Sequence, residues 1–380
     1  MNEAAPRALR ILHCHSTFAA GGKELRSVAL MNAFGAAAEH VVVSAEPHSM
    51  GAAAHLAAGL EVSFPDDFPS LVGKPTPGRL VGLAQAMKPF DLVLTYNWGA
   101  MDAVMAHGVF AASLGLPPLI HHEDGFNEDE AVRLKPARNW YRRAALRKAS
   151  ALVVPSSQLE KIALKTWHQP PAKVVRIANG IDTRAFAEPP QPDALRIIKR
   201  PGERWVGTLA GLRAVKQLPF LIEAMQALGE DWHLVIAGEG PERDAIRAAA
   251  ARLELSHRVH LPGAIANPER IIGLFDIFAL SSRSEQFPLS VVEAMAASLP
   301  VAAPDVGDIR QMVAAPNQPF IAAPGDAAAL GRALAGLAAD EALRDRIGAA
   351  NRERARAEFS ATRMIERYRA LYWDAAANGE

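Results

Sequence analysis

The sequence predicts an α/β protein made of two Rossmann-like domains in tandem, and three observations carry that expectation. Short apolar runs alternate with longer helical patterns along the 380 residues, as parallel strands joined by crossover helices do. The alternation occurs as two series, separated at residues 188–202 by a proline-rich stretch (Pro189, Pro190, Pro192, Pro201) that reads as a linker. The length suits two domains of roughly 150–200 residues, each able to bury its own core.

The first series predicts strands at 9–13, 40–44, 61–64, 91–95, 118–122, 151–154 and 174–177. Helical patterns lie between them, for example at 24–34 and 140–149. The second predicts strands at 204–209, 233–237, 259–261, 277–280, 301–303 and 320–322, followed by an almost wholly helical tail from Ala327. The expected domains are residues 1–186, completed by 360–380, and residues 187–359. In such a pair ligands bind where the C-terminal strand ends face a cleft.

Half of the residues are apolar and only 6% aromatic, which suits helices packed on buried parallel strands. Forty-one basic residues balance 41 acidic ones, which argues against a general nucleic-acid binder. Cys14 is the only cysteine, so an intrachain disulfide and a cysteine-rich metal site are excluded, and a reducing cytoplasm is expected. Residues 1–10 contain no apolar signal core. No apolar run approaches the ~20 residues that span a bilayer, so membrane contact would be peripheral.

The most informative local feature is a pair of glutamates eight residues apart, Glu285 and Glu293, in S-S-R-S-E-Q-F-P-L-S-V-V-E-A-M-A (residues 281–296). The first is placed on a loop after a strand and the second in the first turns of a helix. The backbone N–H groups of Phe287, Leu289 and Ser290 (Pro288 has none) stand between them at a helix N-terminus, where anions are favoured. A carboxylate beside an anion site suits a ligand carrying hydroxyls and phosphates. The plain alternative is a solvated Glu285 and a surface Glu293.

Other segments add weaker signals. Gly21 and Gly22 follow the first strand and open a helix, allowing close backbone approach to an anion; a plain tight turn has the same look. Arg213 and Lys216 follow the first strand of the second series, where cations can clamp a diphosphate. Gly238 and Gly240 lack the third glycine of a dinucleotide fingerprint, which argues against a nicotinamide enzyme. His121 and His122 sit on opposite faces of one strand and no third ligand has metal spacing, so no metal is expected. An acidic run (Glu123, Asp124, Glu128, Asp129, Glu130) precedes a basic one (Arg133, Lys135, Arg138, Arg142, Arg143, Arg147, Lys148) interleaved with Trp140 and Tyr141. The two runs can pair with each other, or the basic helix can lie on an anionic membrane; internal pairing is the favoured reading.

The ordered set of these segments resembles the retaining, GT-B-fold glycosyltransferases of family four, the group 1 type. The matching elements are Gly21-Gly22, His122 to Gly125, Pro155-Ser156-Ser157, Asn179-Gly180-Ile181-Asp182, Arg213 with Lys216, Gly238-Glu239-Gly240-Pro241, Val259 to Gly263, and Glu285 with Glu293. They span roughly residues 8–372. The resemblance implies two Rossmann-like domains across a central cleft, with a C-terminal helix crossing back to the N-terminal domain. It implies a nucleotide diphosphate sugar as donor, contacted through its diphosphate by Gly21, Gly22, Arg213, Lys216, Phe287, Pro288 and Leu289. Glu293 would hold the ribose, Glu285 the transferred sugar, and the segment around Gly263 the base.

Three departures stand out. Gly211 occupies a slot usually held by arginine, so Arg213 must substitute or phosphate binding weakens. Asp124-Gly125 replaces a His-Gly, which leaves open which of His122, Glu123 and Asp124 faces the anomeric carbon. Gln286 replaces a glycine. The implied reaction is retaining transfer to a glycan or lipid-linked acceptor in bacterial polysaccharide or lipopolysaccharide synthesis. No cofactor or metal is required, and the implied location is the cytoplasm, with peripheral contact at the inner face of the membrane left open. The alternatives are a nucleotide-sugar 2-epimerase of the same fold and a non-catalytic nucleotide-sugar-binding partner.

Overall fold

The computed structural model describes residues 7–126, 128–130 and 133–379. It divides into two compact units, Met1–Ala178 with Ile365–Glu380, and Asn179–Met364.

The first unit contains β1 (Leu9–His15), α1 (Gly22–Phe34), β2 (Ala38–Ser44), β3 (Val62–Ser63), α2 (Pro77–Met87), β4 (Leu92–Tyr96) and α3 (Met101–Leu114). It continues with β5 (Leu119–His122), α4 (Pro136–Ala145), β6 (Ala151–Val154), α5 (Ser157–Lys165) and β7 (Val174–Arg176). Its seven strands are all parallel, in the order β3-β2-β1-β4-β5-β6-β7. This is a doubly wound sheet whose order reverses between β1 and β4. The central strands are buried on both faces, which is why they read as continuous apolar runs.

The second unit contains β8 (Arg204–Leu209), α6 (Leu218–Ala224), β9 (Trp232–Ala237), α7 (Arg243–Arg252), β10 (Val259–Gly263) and β11 (Ile277–Ala279). Then come α8 (Leu289–Ala296), β12 (Val301–Pro304), α9 (Ile309–Met312), β13 (Ile321–Ala322), α10 (Ala327–Ala338) and α11 (Glu341–Glu358). The six strands run parallel in the order β10-β9-β8-β11-β12-β13, reversing between β8 and β11. A last helix, α12 (Ala361–Ala377), contributes its residues from Ile365 onward to the first unit.

Several expected elements differ in extent. The strand expected at 61–64 shrinks to Val62–Ser63, and Phe64 is 40% exposed. The helix expected at 140–149 begins at Pro136, because proline fits the first helical turn where no N–H is needed, and it ends in a 3-10 turn at Leu146–Lys148. The proline-rich stretch at 188–202 packs on the second unit rather than hanging free. Gln191 N–H donates to Arg270 O, Pro190 rests on Gly273, and Lys199 Nζ lies 2.6 Å from Asp276 Oδ2.

Within the first unit, the ends of β1, β4 and β5 carry a buried cluster of rings. His15 stacks on Tyr96 at 4.0 Å and Tyr96 on His122 at 4.6 Å. His13 hydrogen-bonds with His40 (3.0 Å) and with Tyr96 (3.2 Å), and the Tyr372 hydroxyl of α12 meets His122 Nε2 at 2.8 Å. Burial drives these imidazoles towards the neutral form: His13 and His15 fall well below the usual value, His40 to about 4 and His122 to about 3. An unfolded chain takes up these protons below about pH 6.5, whereas the folded unit resists them, so stability is fully present above that pH and drains away as pH falls. Glu293, whose carboxyl is raised to about 7, works in the opposite sense, but it is one group against four. Thermal melts should therefore show Tm dropping from pH 7 to pH 5, with a smaller drop in His122→Phe; a flat Tm over that interval would contradict the neutral cluster.

Candidate active site

In the second unit the chain leaves β8 and β11 at the place where strand order reverses, and the two exits are tied together. Ser281 Oγ donates to Lys216 O (2.8 Å), and the Arg283 N–H donates to Val215 O (2.9 Å). Lys216 Nζ lies 2.5 Å from Glu285 Oε1, which also accepts from Ser282 Oγ at 2.7 Å. The cation and the first glutamate are thus direct partners. Arg213 is exposed, and its guanidinium folds over the Gly211 position, with Nε 3.6 Å from where a Cβ would stand there.

Glycine is required at several of these turns. Gly238 (φ +157°) and Gly240 (φ +155°) lie so close to the 210–212 backbone that a Cβ would come within 1.8 Å of Ala210 O and 2.4 Å of Leu212 O. Leu212 N–H donates to Glu239 O and Gly238 N–H to Gly263 O, locking the exits of β8, β9 and β10 together. Gly307 (φ +60°) braces the 285–286 backbone in the same way, its absent Cβ falling 2.6 Å from Glu285 O. Beside these turns Arg196, Glu239, Pro262, Gly263 and Arg270 line a cavity of about 510 Å³.

α8 begins at Leu289 with Pro288 as its N-cap, and the Phe287 ring packs edge-on against Phe359 at 5.5 Å. Glu293 sits one turn into α8, half-buried. Burial raises its carboxyl, and the like charge of Glu269 raises it further, to about 7. The group is poised between acid and carboxylate at neutral pH, a common state for a site residue.

The first unit arranges its candidates differently. Gly21 is the N-cap of α1 and Gly22 its first residue, and the Oε2 of Glu24 lies 2.7 Å from where a Gly21 Cβ would stand. Glu24 is buried and paired with Lys23. His122 faces inward: its Nδ1 meets Thr95 O (3.2 Å) and its Nε2 meets Tyr372, so both ring nitrogens are engaged. Glu123 is fully buried against Arg142 (3.3 Å). Asp124 is held by both guanidinium nitrogens of Arg26, Nη2 at 2.9 Å. Burial works to raise the Asp124 carboxyl, but Arg26, with His122 and Lys23, holds it below the usual value. Of His122, Glu123 and Asp124, Asp124 alone is incompletely buried.

α4 sorts its charges by face. Lys135, Arg138 and Arg142 pair with Asp129 and Glu130, as favoured from the sequence. Stranding such a buried acid without its cation costs roughly 3–5 kcal/mol. On the outer face Arg143 and Arg147 have no acidic partner among the described residues. They line a cavity of about 630 Å³ with Trp140, His168 and Lys173, and Trp140 is 73% exposed.

Comparison with known proteins decides the family. Residues 193–354 match the profile of glycosyl transferases group 1, and residues 20–185 that of glycosyltransferase family 4. The chain belongs to glycosyltransferase family 4. Among the relatives of this family-4 chain, an N-acetyl-alpha-D-glucosaminyl L-malate synthase of Bacillus anthracis is 24% identical over 54% of this chain and 55% of its own length. The lipopolysaccharide core biosynthesis mannosyltransferase LpsB of Rhizobium meliloti is 30% identical over 36% of this chain and 42% of its own length. The chain thus spans about half the length of these curated relatives. The crystal structure of Anabaena Alr3699/HepE in complex with UDP superposes with a TM-score of 0.79 at 19% identity, covering 96% of this chain and 99% of that one. That likeness is one of fold, and the two doubly wound sheets are those of GT-B glycosyltransferases.

Seen as a family-4 chain, the protein also uses residues that its sequence does not announce. Ser281 and Ser282 follow β11 as small polar residues and could have been suspected. Gly307, Glu269 and Arg26 carry no local signal, because each acts on a segment distant in sequence. Since the Gly238 clash is with backbone, which cannot move aside, Gly238→Ala is expected to destabilise the protein by about 2 kcal/mol or more in urea titration; a change within error would contradict the packing of these turns.

Proposed function

We propose that this chain is a retaining glycosyltransferase that takes its sugar from a nucleotide diphosphate sugar and passes it to a glycan or lipid-linked acceptor. The observation that carries the reading is the Lys216–Glu285 pair at the strand-order reversal of a family-4 second unit, with Arg213 over Gly211 beside it. Cations at that place meet the charge that grows on a departing diphosphate, the largest electrostatic demand of glycosyl transfer. In the proposed reaction the anomeric C–O bond breaks and its electron pair stays on the β-phosphate oxygen. The acceptor oxygen bonds to the same face of the sugar, and its proton passes to the diphosphate. Lys216 and Arg213 supply positive charge, so no divalent cation is required. Glu285 meets the sugar hydroxyls, and Glu293 the ribose. The UDP bound by Alr3699/HepE and the lipopolysaccharide role in LpsB's name support this donor class and a bacterial envelope glycan as product. The guanidinium over Gly211 supports the catalytic reading over a non-catalytic one.

The outer face of α4 supports peripheral contact with an anionic membrane. Trp140 offers an amphipathic ring and Arg143, Arg147 and Lys173 a local excess of positive charge, while no helix among the described residues is long and apolar enough to cross a bilayer.

Two measurements test these readings. Lys216→Ala and Glu293→Ala should each lower turnover at least tenfold, with Tm raised by a nucleoside diphosphate in the wild type; near-normal activity in both variants would sink the assignment. In flotation with phosphatidylglycerol vesicles, the protein should bind in a salt-sensitive way and Arg143→Glu/Arg147→Glu should not, whereas salt-independent or absent binding argues against the membrane face.

A further inference from the structure

Within the first unit, a second cavity of about 470 Å³ opens where β2 and β4 end, and the donor chemistry leaves it unused. Its walls are Leu71 and Val72 from the coil after β3, Trp98 after β4, and Ala137 and Tyr141 of α4. Val72 is 61% exposed, so an apolar wall faces water rather than the core. Trp98 and Tyr141 meet edge to face at 5.7 Å and form its aromatic side. One acidic group, Asp102, enters this lining. It is fixed from behind by Arg79 Nη1 (2.5 Å) and by the Tyr141 hydroxyl (2.6 Å).

The charge balance selects the ligand class. Asp102 is already neutralised by Arg79, and Arg138, the cation in the lining, is committed to Asp129 and Glu130. A phosphate or carboxylate entering here would find no free positive charge. A carboxylate has about four acceptor positions, and the two bonds named leave room for further donors. Apolar and aromatic walls around one fixed acceptor match an uncharged ring with apolar faces and hydroxyl edges. The location fits as well. Asn97, the residue before Trp98, accepts the Asp124 N–H on its Oδ1 at 2.8 Å, so the cavity and Asp124 share one sheet edge.

We propose that this cavity binds a neutral pyranose ring of the acceptor. The proposal rests on the glycosyl-transfer reading for the word acceptor, but the site itself is defined by this unit alone. The test is saturation-transfer NMR on the full chain, with and without UDP or GDP. The probes are the methyl glycosides of glucose, galactose, mannose and N-acetylglucosamine, with cyclohexanol as an apolar ring of similar size. At least one glycoside should bind saturably. Ala137→Trp, at an exposed helix position, should fill the cavity and weaken that binding at least tenfold with Tm unchanged. Val72→Asp serves as a second variant should the first misfold. Absence of glycoside binding, equal binding in the variants, or equal binding of cyclohexanol would each overturn the proposal. Nucleotide binding is followed by thermal shift in the same samples. Its failure while glycoside binding persists would remove the donor reading and leave the cavity assignment standing.

Discussion

The parallel sheet is the constraint from which the rest follows. Every strand of each unit ends on the same edge, and the strand order reverses once, between β1 and β4 in one unit and between β8 and β11 in the other. At a reversal the crossover helices diverge to opposite faces and leave a crevice between two strand exits. The second unit uses its crevice electrostatically: the exits of β8 and β11 carry Lys216 and Glu285, which pair. The first unit closes its crevice sterically. Gly99 after β4 presses on Ser16 after β1 so tightly that a Cβ would fall 2.4 Å from the serine's own, and its pockets open to the side.

That contrast explains how two sheets of the same order come to different uses. In the second unit the turns around Gly238, Gly240 and Gly307 bring backbone to backbone, so the ionic groups stand on a framework that side chains cannot loosen. In the first unit polar groups are turned inward, where His122, Glu123 and Arg142 consolidate the sheet edge. What that unit turns outward is Asp124, the cavity beside Trp98 and the outer side of α4.

Much of this was legible in the sequence. Alternating apolar runs placed all thirteen described strands closely, because buried parallel strands are nearly uninterrupted hydrophobic segments; the run at 61–64 only overshot β3, which is two residues long at a sheet edge. Glu285, Glu293, Arg213 and Lys216 were legible because each lies within a few residues of a strand exit. What escaped was long-range pairing. Nothing near Asp124 announces Arg26, 98 residues away, and nothing near Glu285 announces Gly307. The division of α4 into a paired and an unpaired face was equally hidden, since it depends on where the acidic loop folds back.

The contribution of α12 to the first unit bears on how the protein is made. Tyr368 and Tyr372 are fully buried there, and Tyr372 bonds to His122, 250 positions earlier in the chain. During synthesis the segment from Asn179 to Met364 emerges whole before those tyrosines leave the ribosome. Domains usually mature in the order of their translation. Here the half that is made first is finished last, since its ring cluster is complete only once Tyr368 and Tyr372 arrive.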